Sequence, residues 1–473
     1  MRKLLLLAFA AAFPLTASAQ WTFDTVFPSD TLYTNGNGLH GVVVDDDGKV
    51  FLQDHNTKAD TIRFESLGED RAVNVLYVFN PDGTQVDGSP ITFIDYADGV
   101  TPRDTLGGYT TLGSTGAPAF EERTGRGLNY CAADDAVYIS QYDTLFKIDA
   151  DTFEGLARTV PFPGASIGAV GLDENCNVTV QTVVAGGRSI VQYDPDLQAV
   201  TGTVGTASTF TRTTFTSPDG NTVLETAFDN PFTVVYQRPD EFSPYDSLGV
   251  TLGGLRVEAS AVNPSTGYWW FSSGNPLNGG NDYRTIDPAT GDSLETNYTL
   301  QAFYAFDPAD LFDDAGEPVL NPTPVDSLLY SDPGSVPGGG DGVGVGRPRG
   351  IAFTPDGNTA YVALYNRAGA VQRFVRGGTA AEPGTFASGR LEQNRPNPFS
   401  SSTSIRFELD RASTVTLRVF DAMGRQVATL ADGPLAAGPH AFRFDAGSLA
   451  SGVYVYALNV EGEVSSRRMM VVR

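Results

Sequence analysis

Arg349 opens the run Arg-Gly-Ile-Ala-Phe-Thr-Pro-Asp-Gly-Asn, and Arg212 opens Arg-Thr-Thr-Phe-Thr-Ser-Pro-Asp-Gly-Asn, which aligns on it without gaps. The same strand, turn and strand recurs from His40, and looser copies start at Arg126-Gly127, Ile167-Gly168 and Glu258-Ala259. Equivalent places in the repeat therefore hold His40, Arg126, Arg212, Glu258 and Arg349. Guanidiniums and an imidazole at one structural level can converge on an anion, such as a carboxylate or a sulfated sugar, through charge-assisted hydrogen bonds. The plainer use of such arginines is to bond carbonyls of a neighbouring loop, and both uses stay open here. Glu258 is the one carboxylate of the set and the first suspect for acid–base work.

Other chemistry finds less footing. The sequence holds three histidines, His40, His55 and His440, and has neither a Gly-x-Ser-x-Gly elbow nor an HExxH helix. Gly338 to Gly346 is glycine-rich, but no Lys-Ser or Lys-Thr follows it, so the nucleotide fingerprints are not met. The acidic stretches Asp45-Asp46-Asp47-Gly48 and Asp310 to Glu317 miss the EF-hand spacing and read as turns, with a structural calcium left open. No catalytic residue and no metal ligand is assigned, and no cofactor is expected. A net charge of -25 argues against nucleic acid, whose phosphates it repels. Cys131 and Cys176 permit one disulfide in an oxidising compartment.

These residues need a scaffold, and the chain from Gln20 to about Gly378 supplies only strand signals. Apolar runs of four to seven residues alternate with Asp-Gly, Asn-Pro, Asp-Pro and Gly-Gly turns, the pattern of an all-β fold. A second element repeats as Tyr77-Val78-Phe79-Asn80-Pro81, Val191-Gln192-Tyr193-Asp194-Pro195 and Tyr304-Ala305-Phe306-Asp307-Pro308. A hairpin followed by a strand entering such a turn resembles the four-stranded blade of a β-propeller of the broad NHL, YVTN or WD-like kind. Blade starts at 40, 126, 167, 212, 258 and 349 favour six blades, with seven or eight as alternatives. The long first and last steps are read as insertions, at Asp98 to Arg123 and Asn275 to Asn297. The last blade shows three strands, and Trp21 to Phe27 is placed as its fourth. In such a ring the five candidates stand near the mouth of the central channel.

The two ends carry addresses. Arg2 and Lys3, the apolar run Leu4 to Phe13 and Ala17-Ser18-Ala19 predict a signal peptide over 1–19, cut between Ala19 and Gln20. No stretch is long and apolar enough to span a bilayer. Residues 379–390 have linker composition. From Leu391 the chain reads Leu-Glu-Gln-Asn-Arg-Pro-Asn-Pro-Phe, then alternating strands, then Gly452-Val453-Tyr454, and ends on Arg-Met-Met-Val-Val-Arg. This 391–473 segment resembles the type A C-terminal sorting domain of the type IX secretion system. Pro396, Asn397, Pro398 and Phe399 open the motif, Gly452 and Tyr454 mark a late strand, and Arg473 closes it. Period-two alternation predicts a small β-sandwich there. The resemblance implies recognition by the type IX machinery and export through the periplasm to the medium or the outer-membrane surface.

The expected protein is thus an exported propeller of 20–378 followed by a sorting sandwich, binding an anionic or glycan ligand without catalysis. Its alternatives are an extracellular hydrolase or lactonase using channel carboxylates, with calcium an option, and a structural surface or adhesion component.

Overall fold

Turn chemistry repeats along the chain because the turn residues repeat. At 355–358, Asp356 accepts from the Thr354 hydroxyl at 2.6 Å and from the Asn358 N–H at 3.1 Å. At 218–221, Asp219 accepts from the Asn221 N–H at the same 3.1 Å. Asp45 does this work in the acidic stretch, taking the Asp47 and Lys49 N–H groups at 3.0 and 2.7 Å. Asp313 likewise takes the Ala315 and Glu317 N–H groups at 2.8 and 3.0 Å. Each acidic run is thus organised by an aspartate closing a hairpin on its own backbone.

The computed structural model describes residues 21–28, 39–55, 60–64, 68–98, 100–106, 109–110, 119–120, 124–273, 284–286, 293–295, 298, 302–330, 347–365, 371–376, 385–386, 389–391, 394, 399, 401–409, 411–421, 426–447, 449, 452–460 and 463–471. The predicted signal peptide, its cleavage pair Ala19 and Gln20, the glycine loop 338–346, Pro396, Asn397, Pro398 and Arg473 lie outside the described residues.

Over 21–376 the described chain forms six antiparallel sheets of three or four strands, which follow one another as a meander, and four two-stranded ones. Sheet one runs Leu39–Val44, Val50–Asp54 and Leu76–Phe79. Sheet two holds Gly125–Cys131, Ala136–Gln141, Thr144–Asp149 and Gly155–Thr159. Sheet three holds Gly171–Leu172, Val178–Val180, Ser189–Tyr193 and Val200–Thr206. Sheet four holds Thr214–Thr216, Thr222–Glu225, Thr233–Gln237 and Asp246–Thr251. Sheet five holds Ser260–Val262, Trp269–Ser272, Ala302–Phe306 and Asp326–Leu329. Sheet six pairs Arg347–Phe353, Thr359–Tyr365 and Val371–Arg376 with the N-terminal strand Trp21–Val26.

The first strands of these sheets touch one another in order, and that of sheet six returns to that of sheet one, so the meander closes as a propeller. Each sheet buries both faces against its neighbours. Phe353, Ile351 and Phe374 of sheet six pack on Trp270 and Phe303 of sheet five, with Trp21 between them. The long steps contain added hairpins: Asp60–Phe64 with Glu69–Val73 sits between the second and third strands of sheet one, and Arg284–Ile286 with Ser293–Glu295 does so in sheet five. The second of these falls within Asn275 to Asn297, read as an insertion; the first lies upstream of Asp98 to Arg123, the other such stretch, which itself holds the pair Tyr109–Thr110 and Ala119–Phe120.

Trp21 pairs with Arg376 and Val26 with Gln372, placing the N-terminal strand as the expected fourth member of sheet six. The Trp21 indole N–H donates to Asp326 Oδ2 at 3.2 Å, and its ring meets Trp270 edge-on at 5.8 Å. A disulfide joins Cys131, at the end of the first strand of sheet two, to Cys176 in the first turn of sheet three, with Cα atoms 5.8 Å apart.

The C-terminal region forms two four-stranded sheets around one core. Thr385–Phe386, Gly389–Leu391, Ser402–Leu409 and Gly438–Asp445 make one; Gln426–Leu435, Ser413–Asp421, Gly452–Val460 and Glu463–Val471 make the other. Ile405, Phe407, Leu417, Tyr456 and Leu458 are buried between them, a sandwich as predicted. Strand pairing starts at Thr385, inside the stretch of linker composition.

Candidate functional site

The five repeat-equivalent residues are brought to one end of the ring by the close approach of neighbouring first strands. A side chain at Gly41, directly after His40, would stand 2.8 Å from the Leu128 backbone of sheet two. One at Gly350, directly after Arg349, would stand 3.0 Å from the Val42 backbone of sheet one. Glycine lets the strands draw together, and the residue before it is left at the channel end of the sheet. The bonds Ala169 N–H to Arg212 O and Thr214 N–H to Ala169 O, both 2.9 Å, stitch sheets three and four at the same level.

Arg349 and Glu258 form a buried ion pair, with 6 % and 1 % of each residue exposed. Arg349 also donates to Pro348 O at 3.0 Å, and its guanidinium lies 5.2 Å from the Tyr365 ring. The Ser272 hydroxyl accepts from the Glu258 N–H at 2.8 Å, fixing the backbone beneath the carboxylate. His40 is buried and stacks on His55 with ring centroids 4.6 Å apart. The Gly125 carbonyl lies 2.9 Å from His55 Nδ1; since a carbonyl only accepts, that nitrogen carries the hydrogen.

The charges and burial of these groups couple several of them electrostatically. Burial pushes the His40 pKa well below the usual imidazole value, and His55, Arg349, Arg126 and Arg212 lower it further. His55 is pushed down to about 4, chiefly by burial, against the opposing bond to Gly125 and with help from the three arginines. Burial and then Arg349 bring Arg212 down to about 10 and also lower Arg126. Arg126, Arg212 and Arg349 each act on His40 and His55, and Glu258 acts on Arg212.

The residues divide by use. Arg349 and Glu258 are committed to each other. The Nε atoms of Arg126 and Arg212 are buried and have no hydrogen-bond partner among the described residues; nor does His40 Nδ1. Arg212 rests over the Phe228 ring, 4.6 Å from its centroid. Other carboxylates near this end serve the backbone: Glu225 takes the Ser208 and Thr209 N–H groups at 2.6 and 2.9 Å, and Asp143 takes the Gly164 N–H at 2.8 Å. Among the described residues no group of three or more His, Cys, Asp or Glu is arranged to hold a metal ion.

Three participants were not singled out from the repeat: His55, Tyr365 and Phe228. They lie at or just beyond the ends of second strands. The antiparallel register explains this, since Leu39 faces Asp54 and Arg347 faces Tyr365. A residue closing the second strand must therefore stand beside the one that opens the first.

Of the sorting positions, Phe399 and Tyr454 are core residues. Phe399 packs against Phe444 with centroids 6.1 Å apart, and Tyr454 is buried in the strand that Gly452 opens. The Asn394 N–H donates to the Tyr456 hydroxyl at 2.8 Å, pinning the segment that leads into the motif.

No curated protein matches the chain in sequence. Among solved structures it is similar to a chain described as "Crystal Structure of Mitotic Checkpoint Complex", with 12 % identity, a TM-score of 0.39, and 80 % of this chain and 99 % of that one covered. It is similar to "Structure of Dos1 propeller" with 12 % identity, a TM-score of 0.39, and 77 % and 96 % covered. Residues 395–472 match the family described as "Secretion system C-terminal sorting domain". The closed ring of sheets is a β-propeller, and the sandwich behind it is a type IX sorting domain that directs the protein to secretion or to the outer-membrane surface.

Proposed function

We propose that the exported propeller is a binding module that takes an anionic ligand at the channel mouth and performs no catalysis of its own. One observation carries this reading: Arg126 and Arg212, which act on each other's neighbourhood and on the buried His40, hold buried Nε atoms that no described residue satisfies, on a chain whose net charge is -25. A buried donor without an acceptor costs about 1–3 kcal/mol, more for a charged group, and an incoming anion recovers that cost. The Arg349–Glu258 pair serves as the floor, since it is nearly sealed from solvent. The same pairing speaks against Glu258 as a general acid or base, because its carboxylate is already held by a guanidinium.

The test is titration of the purified full chain with acetate, sulfate and galacturonate. At least one should bind, and Arg126→Gln and Arg212→Gln should each weaken it about tenfold or more, the usual scale for a charge-assisted bond. Binding equal in all three proteins would overturn the reading. So would turnover in a hydrolase and lactonase panel, with or without calcium, that Glu258→Gln abolishes.

A further inference from the structure

Two aromatic rings stand on one side of the anion site. Phe228 lies beneath the Arg212 guanidinium, and Phe210 meets Phe228 with ring centroids 6.1 Å apart at 72°. The Phe228 N–H donates to Phe210 O at 3.1 Å, fixing the two rings to each other. The Thr211 N–H donates to Val183 O at 3.0 Å, so Phe210 and Val184, one residue from each partner, lie on adjoining segments. Phe210 is 41 % exposed and Val184 53 % exposed. Single exposed apolar side chains are ordinary. Here they stand beside a half-buried arginine with an unsatisfied Nε and form a ledge leading to it.

We propose that the ligand is an amphipathic carboxylate: a carboxyl group on an aryl or acyl body. This deepens the anion-site reading and rests on it. The carboxylate faces the Arg126 and Arg212 guanidiniums, whose Nε–H and Nη–H edges match its two oxygens. The apolar body lies along Phe210, Phe228 and Val184. Phe228 is already held between the Arg212 guanidinium and the edge-on Phe210 ring, so laying an apolar body along the pair requires little reordering. The Asp229 carboxylate takes the Phe210 N–H at 3.3 Å, so the three apolar side chains themselves, which offer no partner to ring hydroxyls, favour the aryl or acyl body over a sugar acid.

Ligand-observed NMR titration of the full chain with acetate, 4-phenylbutyrate and galacturonate tests this. The phenylbutyrate should bind at least about tenfold tighter than either other acid, about 1.4 kcal/mol. Phe210→Ser, at an exposed position, should remove most of that gain, and Phe228→Leu should do so independently. Arg212→Gln should weaken all three acids. Equal affinity for acetate and phenylbutyrate, tighter binding of galacturonate, or a gain that survives both phenylalanine substitutions would overturn the proposal while leaving the anion site standing. Binding of none of the acids, or binding unchanged by Arg212→Gln, would overturn the anion site as well.

Discussion

At the residue scale, the channel mouth keeps two imidazoles neutral beside three guanidiniums. His40 and His55 both have proton affinities below that of a free imidazole, for which the ordinary value is near 6.5. The unfolded chain therefore binds more protons than the folded one below that value, and stability falls as the pH drops from about 6.5 toward about 4. Above pH 7 both states are neutral at these positions, and the contribution is constant. The double variant His40→Phe, His55→Phe should flatten the pH dependence of the melting temperature within this window relative to the parent; parallel curves would remove the histidines as its source. The Arg349–Glu258 pair makes a separate prediction. Glu258→Ala leaves a buried guanidinium uncompensated and should cost roughly 3–5 kcal/mol. Arg349→Met with Glu258→Leu should recover much of that loss in a denaturant titration.

At the element scale, the ring is fastened at two places distant in sequence. The Cys131–Cys176 bond spans 45 residues and joins sheets two and three. A loop of that size limits the unfolded chain enough to be worth roughly 4 kcal/mol at most, so Cys131→Ser with Cys176→Ser should lower stability by about 2–4 kcal/mol. An unchanged melting temperature would show that packing alone sets the sheet junction. Trp21 fastens the other seam, and Trp21→Ala should cost about 3–5 kcal/mol by leaving a cavity among Trp270, Phe353 and Asp326. How much of this was legible varies with the origin of each signal. Hairpin turns and first strands were readable because Pro-Asp-Gly-Asn imposes the same backbone bonds wherever it occurs. The closing strand was readable because a three-stranded blade leaves an edge to fill. The added hairpin at Asp60–Val73 was not singled out, since its turn residues match no copy of the repeated Pro-Asp-Gly-Asn turn. His55, Tyr365 and Phe228 escaped the repeat comparison because their positions follow from register across a hairpin, which spacing along one strand does not reveal.

At the scale of the whole molecule, the propeller and the sorting sandwich that carries the export address have separate cores. Phe399 and Tyr454 are buried in the sandwich, so substitution there acts on the folding of the sorting domain rather than on a surface feature alone. Removing 391–473 leaves the propeller sheets intact and should hold the protein in the periplasm, as fractionation and immunoblotting would show; normal secretion of that truncation would contradict the sorting assignment. The seam at sheet six gives this division a mechanical side. The chain leaves the propeller at Arg376, directly opposite Trp21, from a strand gripped on both flanks by Trp21–Val26 and Thr359–Tyr365. A pull on the tail, during passage or from a surface tether, loads those two ladders together, and forced opening depends on the rate at which they yield. The joint that bears the load is also the clasp that keeps the ring closed. Tension that parted it would open the blade at its N-terminal seam first, so the resistance of this one strand to shear sets how hard the exported propeller can be drawn upon before its channel mouth is lost.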